Sequence, residues 1–435
     1  MTQSPLTHTR RAFPLVVCAA FLLVHSVPAV RAADADKSSN KLLGAYFEEW
    51  SIYGANFNIA DVQNSGAASK LTHLLYAFAN VSSASQCAIA DSWADYQSPY
   101  LPSVDGQPYA GPLYGNFAAL QQLKQLHPSL KVMISIGGAS AANTTNFAAA
   151  AATASGRQQL AASCIDMFVK GNVAQGISTG TLFDGIDLDW EFPTSADKQN
   201  FTAMVSEFRS QLNTLGVQNH RHYLLSIAAP AGSQNYSNMQ LAAVAGHLDF
   251  LNMETYDYHG TWETTTNHAA PLFPSPFDPA AGQGLDVNST ITAYLQAGVP
   301  AGKMLLGIPF YGRGWTGVPD VRYGLYQSST SPAPSPAGDT LATDGVATFR
   351  TLEQLLASGG YTSHRDYFSL ADWLYNPAPQ TFWTYDDPAS VTYKMAYAKL
   401  RAGGLGGAFG WALKDDDSNA TLLKTMAQGL DIQSH

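Results

Sequence analysis

The sequence predicts an α/β protein built on a (β/α)8 TIM barrel, and three observations carry that expectation. Eight short apolar runs rich in Val, Ile, Leu and aromatic residues recur along the chain. Amphipathic stretches at 117–126, 158–169 and 198–212 stand between them. The runs are continuously apolar, the pattern of parallel strands covered by helices. An open doubly wound sheet is the rival arrangement, and eight runs favour closure.

In chain order the runs are 42–47, 71–78, 132–136, 182–188, 223–228, 248–253, 304–310 and 406–411. The seventh and eighth are about 95 residues apart, far more than a βα connection needs. A Ser/Pro/Gly-rich stretch, 328–338, opens this interval. It predicts a small α+β insertion subdomain over 316–381, dividing the barrel into 40–315 and 382–432.

Before the first run, Arg10 and Arg11 precede an apolar stretch, 13–24, and then Val30-Arg31-Ala32. This is the pattern of a signal peptide over 1–32, cleaved after Ala32. Thr9 to Phe13 also resembles a twin-arginine signal, so either export route fits an extracellular or periplasmic destination. No second long apolar run follows, and no membrane partner is expected. Cys18 would leave with the signal, so Cys87 and Cys164 are either one disulfide or two buried thiols.

The 435 residues carry a net charge of -10, with 46% hydrophobic and 11% aromatic residues. That composition excludes a disordered chain, and an acidic protein without a basic cluster beyond its N-terminus is a poor nucleic-acid binder. A monomer is expected.

The fourth run carries the chemistry. In Phe183-Asp184-Gly185-Ile186-Asp187-Leu188-Asp189-Trp190-Glu191, three acids occupy alternate positions ending at Glu191. Period 2 places Asp187, Asp189 and Glu191 on one face, which in a barrel is the interior, with Glu191 at the C-terminal rim where barrel active sites sit. Stacked like charges raise at least one pKa, letting Glu191 stay protonated near neutral pH as a general acid, with Asp189 sharing a proton beneath it. A metal site is disfavoured because no His lies near this run, and no metal or organic cofactor is expected.

This motif resembles the signature of glycoside hydrolase family 18, the chitinases and their relatives, and of the branch with an insertion between barrel strands seven and eight. Companion motifs agree in order: Ser135-Ile136-Gly137-Gly138, Tyr256-Asp257-Tyr258-His259-Gly260-Thr261-Trp262-Glu263, Gly307-Ile308-Pro309-Phe310-Tyr311-Gly312-Arg313, and Gly403-Gly404-Leu405-Gly406-Gly407 through Trp411. The resemblance implies a secreted chitinase using substrate-assisted retention. It assigns Glu191 as acid and base, Asp189 as partner of the substrate acetamido N–H, Asp187 as its tuner, Ser135 as a hydrogen-bond partner of that pair, and Tyr256 to the acetamido oxygen. Asp257 and Arg313 would contact the sugar, and Trp411 would floor the cleaved residue with Tyr46 and Phe78 beside it. Trp190 is included among the substrate contacts, while Trp50, Trp262 and Trp315 would stack on pyranose faces at the rim.

Two positions depart from the family pattern. Ala139 stands where many members carry Trp, and Glu254 stands where they carry Met. The extra carboxylate of Glu254 is expected to raise the pKa of Glu191 or to meet a polar group of the substrate. Chitin or its oligosaccharides are the expected partner. An endo-β-N-acetylglucosaminidase acting on N-glycans would use the same carboxylates, whereas a non-hydrolytic lectin is disfavoured by the presence of Glu191.

Overall fold

A computed structural model describes Met1 and residues 41–434. Contacts separate Met1–Ser38 from Ser39–His435, and the fold that follows is that of the second unit. The expected signal peptide lies, beyond Met1, outside the described residues.

All eight apolar runs form strands of one parallel barrel: β1 (Leu42–Glu48), β2 (His73–Val81), β3 (Lys131–Gly137), β4 (Gly185–Asp189), β5 (Leu224–Ala229), β6 (Phe250–Met253), β7 (Met304–Pro309) and β8 (Gly407–Trp411). Each pairs with its neighbour in sequence, and β1 closes the ring by pairing with β2 at Gly44↔His73 and with β8 at Leu42↔Gly407. Closure needs a glycine at 407. Its φ is 156°, and a Cβ there would lie 1.8 Å from the Leu42 carbonyl oxygen.

The barrel interior is layered. Leu75, Met133, Phe250, Leu305 and Phe409 fill it with apolar side chains. His73 sits against the Phe250 ring, and burial pushes its imidazole down to about 3, so it packs as a neutral ring. Beside this apolar part lies a buried polar group of Ser135, Asp187, Ser226 and Asn252. Register brings them together, since Asp187 pairs with Ser135 on β3 and Ser226 on β5.

On the outer face of β4, Ile186 and Leu188 are fully buried. Each such side chain contributes about 1.5–3 kcal/mol of transfer free energy. The helix over Lys198–Asn219 helps cover this face with Phe201, Met204, Val205 and Phe208.

Between β7 and β8 the chain forms a six-stranded sheet with a helix, Phe349–Ala357, against it. The sheet starts at Tyr311–Thr316 directly after β7 and ends at Thr381–Tyr385, so it reaches beyond both bounds of the 316–381 expectation. Its own core gathers Trp315, Val318, Trp373, Tyr375 and Phe382. Trp373 belongs to this core and Trp383 is buried in the main hydrophobic cluster, so both are packing residues. Among the described residues no helix is long and apolar enough to cross a membrane.

Cys87 and Cys164 are joined, with their Cα atoms 5.0 Å apart, tying the short strand Cys87–Ile89 to the helix Ala154–Cys164 across 77 residues of sequence. Replacing both with Ala is expected to cost about 2–4 kcal/mol, because the unfolded chain regains the entropy of a long loop. Denaturant unfolding of the double variant against the oxidised wild type measures it.

Candidate active site

Two of the acids, Asp187 and Asp189, are placed by β4 itself, and Glu191 follows two residues past its end. Gly137 faces them closely: its φ of 124° and a hypothetical Cβ only 1.9 Å from the Asp189 carbonyl oxygen show that no other residue fits. Gly138 then donates its N–H to that carbonyl at 2.8 Å. At Gly138 the φ of 80°, and a Cβ that would lie 2.6 Å from the Phe78 ring, again call for glycine.

Asp187 is fully buried and accepts four hydrogen bonds. Tyr46 Oη and Ser135 Oγ each donate to Oδ2 at 2.8 Å, Ser226 Oγ to Oδ1 at 2.6 Å, and Asn252 Nδ2 to Oδ1 at 3.2 Å. All four donors are neutral. Burial raises the Asp187 pKa, and these bonds pull it back toward the ionised form. Ser135 was expected here. Tyr46 was expected only as an aromatic neighbour of Trp411 and does both, since its ring lies 4.9 Å from that indole.

Above this layer, Asp189 is 3% exposed and its Oδ1 has no hydrogen-bond partner. Burial first, then the charges of Glu191, Glu254 and Asp187, raise its pKa well above the carboxylate range. Glu191, half-buried at the rim, is pushed up to about 7 by burial and by Asp257, while a hydrogen bond with Asp189 opposes the shift. One carboxylate oxygen from each of Asp189, Glu191 and Glu254 lies within 4.8 Å of the others. None of the three joins an ion pair among the described residues; the nearby cations are engaged elsewhere, Arg313 with Asp257 and Lys414 with Glu48 and Asp415. Glu254 Oε2 is buried without a partner, and burial with the repulsion of Glu191 and Asp257 raises its pKa well above the ordinary carboxyl value.

Two recesses meet at Glu191. One is lined by Asp189, Tyr256, Asp257, Tyr311, Arg313 and Trp411, with Ala139 at its edge. The second lies beyond Glu191 and is lined by Phe192, Pro230, Ala231, Gln234, Asn235 and Leu285. Glu191, Glu254, Tyr256 and Asp257 border both. Asp257 sits at φ 54°, a left-handed conformation that Asp tolerates, and receives Arg313 Nε at 2.8 Å and an Arg313 terminal nitrogen at 2.6 Å. The Arg313 guanidinium also lies over the Trp262 and Tyr311 rings.

Aromatic rings extend the first recess along the rim. Phe78 stacks on Trp411 with centroids 5.8 Å apart, and Trp50 follows at 5.9 Å from Phe78. Trp50 and Trp262 are exposed, as a sugar-stacking role requires. Two expectations fail. Trp190 does not face the cleft: it is 3% exposed and stacked on Phe147 outside the barrel, because the alternation that turns Asp189 and Glu191 inward turns Trp190 outward. Trp315 is buried in the inserted sheet, where its indole N–H donates to the Glu263 carbonyl. The sequence reading did not single out Tyr311, Ser226, Asn252 or the Glu48–Lys414–Asp415 ion-pair group. Tyr311 lay within a quoted motif, but the others carry no local signal.

Crowded carboxylates whose folded pKa values exceed their unfolded ones bind extra protons in the native state, so folding stability falls as pH rises from the unfolded value toward the folded one. Replacing Glu254 with Gln is therefore expected to stabilise the fold at pH 8 by roughly 1 kcal/mol, with the gain shrinking toward pH 4. Thermal unfolding of both proteins across that range measures it.

Comparisons with known proteins agree with this geometry. The profile of the glycosyl hydrolases family 18 matches residues 43–416. Chitinase A1 of Niallia circulans is 34% identical over 91% of the chain, which spans 59% of that longer protein. Chitinase 1 of Aphanocladium album is 32% identical over 98% of the chain and 95% of its own length. The catalytic domain of psychrophilic chitinase B from Arthrobacter TAD20 superposes with a TM-score of 0.81 at 32% identity, covering 90% of this chain and 95% of that one. The chain belongs to glycoside hydrolase family 18.

Proposed function

We propose that the protein is a secreted chitinase that hydrolyses β-1,4 linkages between N-acetylglucosamine residues by substrate-assisted retention. The observation that carries this reading is the stack Asp187, Asp189, Glu191, which ends in a carboxyl pushed up to about 7 between two recesses, with the unpartnered Asp189 Oδ1 beneath it.

The sugar to be cleaved rests on Trp411, and Glu191 donates its proton to the glycosidic oxygen as the bond to C1 breaks. The acetamido carbonyl of the same sugar attacks C1, giving an oxazolinium ion and releasing the leaving sugar as an alcohol. Asp189 Oδ1, buried and unpartnered, accepts a hydrogen bond from the acetamido N–H and offsets the positive charge that develops there. Tyr256 donates its hydroxyl to the acetamido oxygen and aligns it for attack. Water then adds to C1 from the vacated side, Glu191 takes its proton, and the product keeps the β configuration. Asp187, its charge spread over four donors, tunes Asp189 by raising its affinity for a proton.

Export through the Arg10-Arg11 leader completes the proposal, and N-terminal sequencing of protein from the culture medium tests it: mature protein starting at Ala33 supports cleavage after Ala32.

Two activity measurements follow. The Glu191→Gln variant is expected to lose at least about 10³-fold in kcat on chitin hexamer while still binding it, since both proton transfers pass through this group; wild-type products should appear first as the β-anomer. In the wild type, kcat/KM should fall as pH rises past about 7, where the acid loses its proton. Activity undiminished well above that value would contradict Glu191 as the acid. Release of intact glycan from a glycoprotein, with no action on chitin hexamer, would instead favour the N-glycan reading.

A further inference from the structure

We infer that Glu254 makes the leaving side of this site selective for a cationic amino sugar, so that the enzyme prefers to cut where a glucosamine residue follows an N-acetylglucosamine. This rests on the chitinase reading and extends it to partly deacetylated chitin. Glu254 stands where the two recesses meet, and in the second, which Trp411 does not line, it borders the space together with Glu191, Phe192, Gln234 and Asn235. The groups around that recess offer amide and carboxylate oxygens but no lysine, arginine or histidine.

Three features distinguish Glu254 from an ordinary rim acid. Its Oε2 is buried and has no hydrogen-bond partner. It lies within 4.8 Å of oxygens of two further carboxylates, Asp189 and Glu191. The cations nearby are already committed, Arg313 to Asp257 through two bonds and Lys414 to Glu48 and Asp415. Ionising this group without a counter-charge is costly, so burial and the neighbouring acids favour its protonated form. The ammonium of a glucosamine residue supplies that counter-charge. It presents three donors to oxygens that have spare acceptor capacity, and its charge replaces the proton that the crowded acids otherwise retain. An N-acetylated sugar in the same place offers one neutral N–H and a carbonyl oxygen, and no charge to match an ionised carboxylate. On the other side of the bond the requirement is opposite: the cleaved sugar must keep its acetyl group, because that carbonyl is the nucleophile. The two recesses thus ask for different sugars.

Digestion of a soluble, randomly half-deacetylated chitosan, with the sugars at newly formed chain ends identified by NMR, tests this. New reducing ends should be N-acetylglucosamine in every active protein. In the wild type the ratio of glucosamine to N-acetylglucosamine at new non-reducing ends should be about tenfold that of the polymer, the scale of one charge-assisted hydrogen-bonded contact. Glu254→Gln keeps the shape and removes the charge, and should return those ends to the bulk composition; Glu254→Met, restoring the residue common in the family, should do the same. Wild-type non-reducing ends that mirror the polymer overturn the inference without any variant, and so does enrichment that survives in a folded Glu254→Gln protein. Chitin hexamer is digested in parallel. Cleavage of the hexamer with unselective ends refutes only the role of Glu254, whereas no cleavage of either substrate refutes the chitinase reading on which it rests.

Discussion

The fold is organised around the burial of a charged column inside the barrel. Asp187 and Asp189 stand at successive inward positions of β4 and Glu191 follows just past its end, with the first two removed from water and none of the three in an ion pair among the described residues. Burial of this kind would be prohibitive if the charges were all expressed. The barrel meets the constraint in two ways. At the lowest acid it supplies four neutral donors from β1, β3, β5 and β6, which lets one charge spread over a fixed hydrogen-bond layer. Higher up it supplies almost nothing, so the upper acids retain protons.

This division converts a destabilising arrangement into a chemical one. A carboxyl that keeps its proton near neutral pH is an acid positioned for a leaving oxygen, and an unpartnered carboxylate oxygen beneath it is an acceptor waiting for a donor on the substrate. The remaining site features serve positioning. Arg313 locks Asp257 in a left-handed conformation, and the rings of Tyr46, Trp411, Phe78 and Trp50 form a continuous surface on which a sugar chain can lie. The inserted sheet starts from the strand that carries Arg313, so its own core of Trp315, Trp373 and Phe382 holds one wall of the cleft in place.

Much of this was legible from the chain. Eight apolar runs announced eight strands because a parallel strand covered by helices must be apolar nearly throughout, and the alternation at 187, 189 and 191 announced the inward face because strand geometry leaves no other choice. The same alternation, applied strictly, would have sent Trp190 outward; treating it as a substrate contact followed the motif and ignored the period. What could not be read were partners set by register between distant strands. Ser226 meets Asp187 because β5 pairs with β4 in one alignment, and Lys414 meets Glu48 because β8 closes onto β1. Trp315 looked like a rim residue because it follows the seventh run closely, yet the chain there turns at once into a second sheet with a core to fill.

The measurement that bears most directly on this account is a carboxyl-carbon NMR titration of the protein labelled at glutamate side chains, with the Glu191 resonance assigned by its loss in Glu191→Gln. The account predicts that Glu191 titrates near 7, well apart from the exposed glutamates. A Glu191 that titrates with them at about 4.3, the ordinary value, would contradict the claim that burial of the charged column prepares the acid.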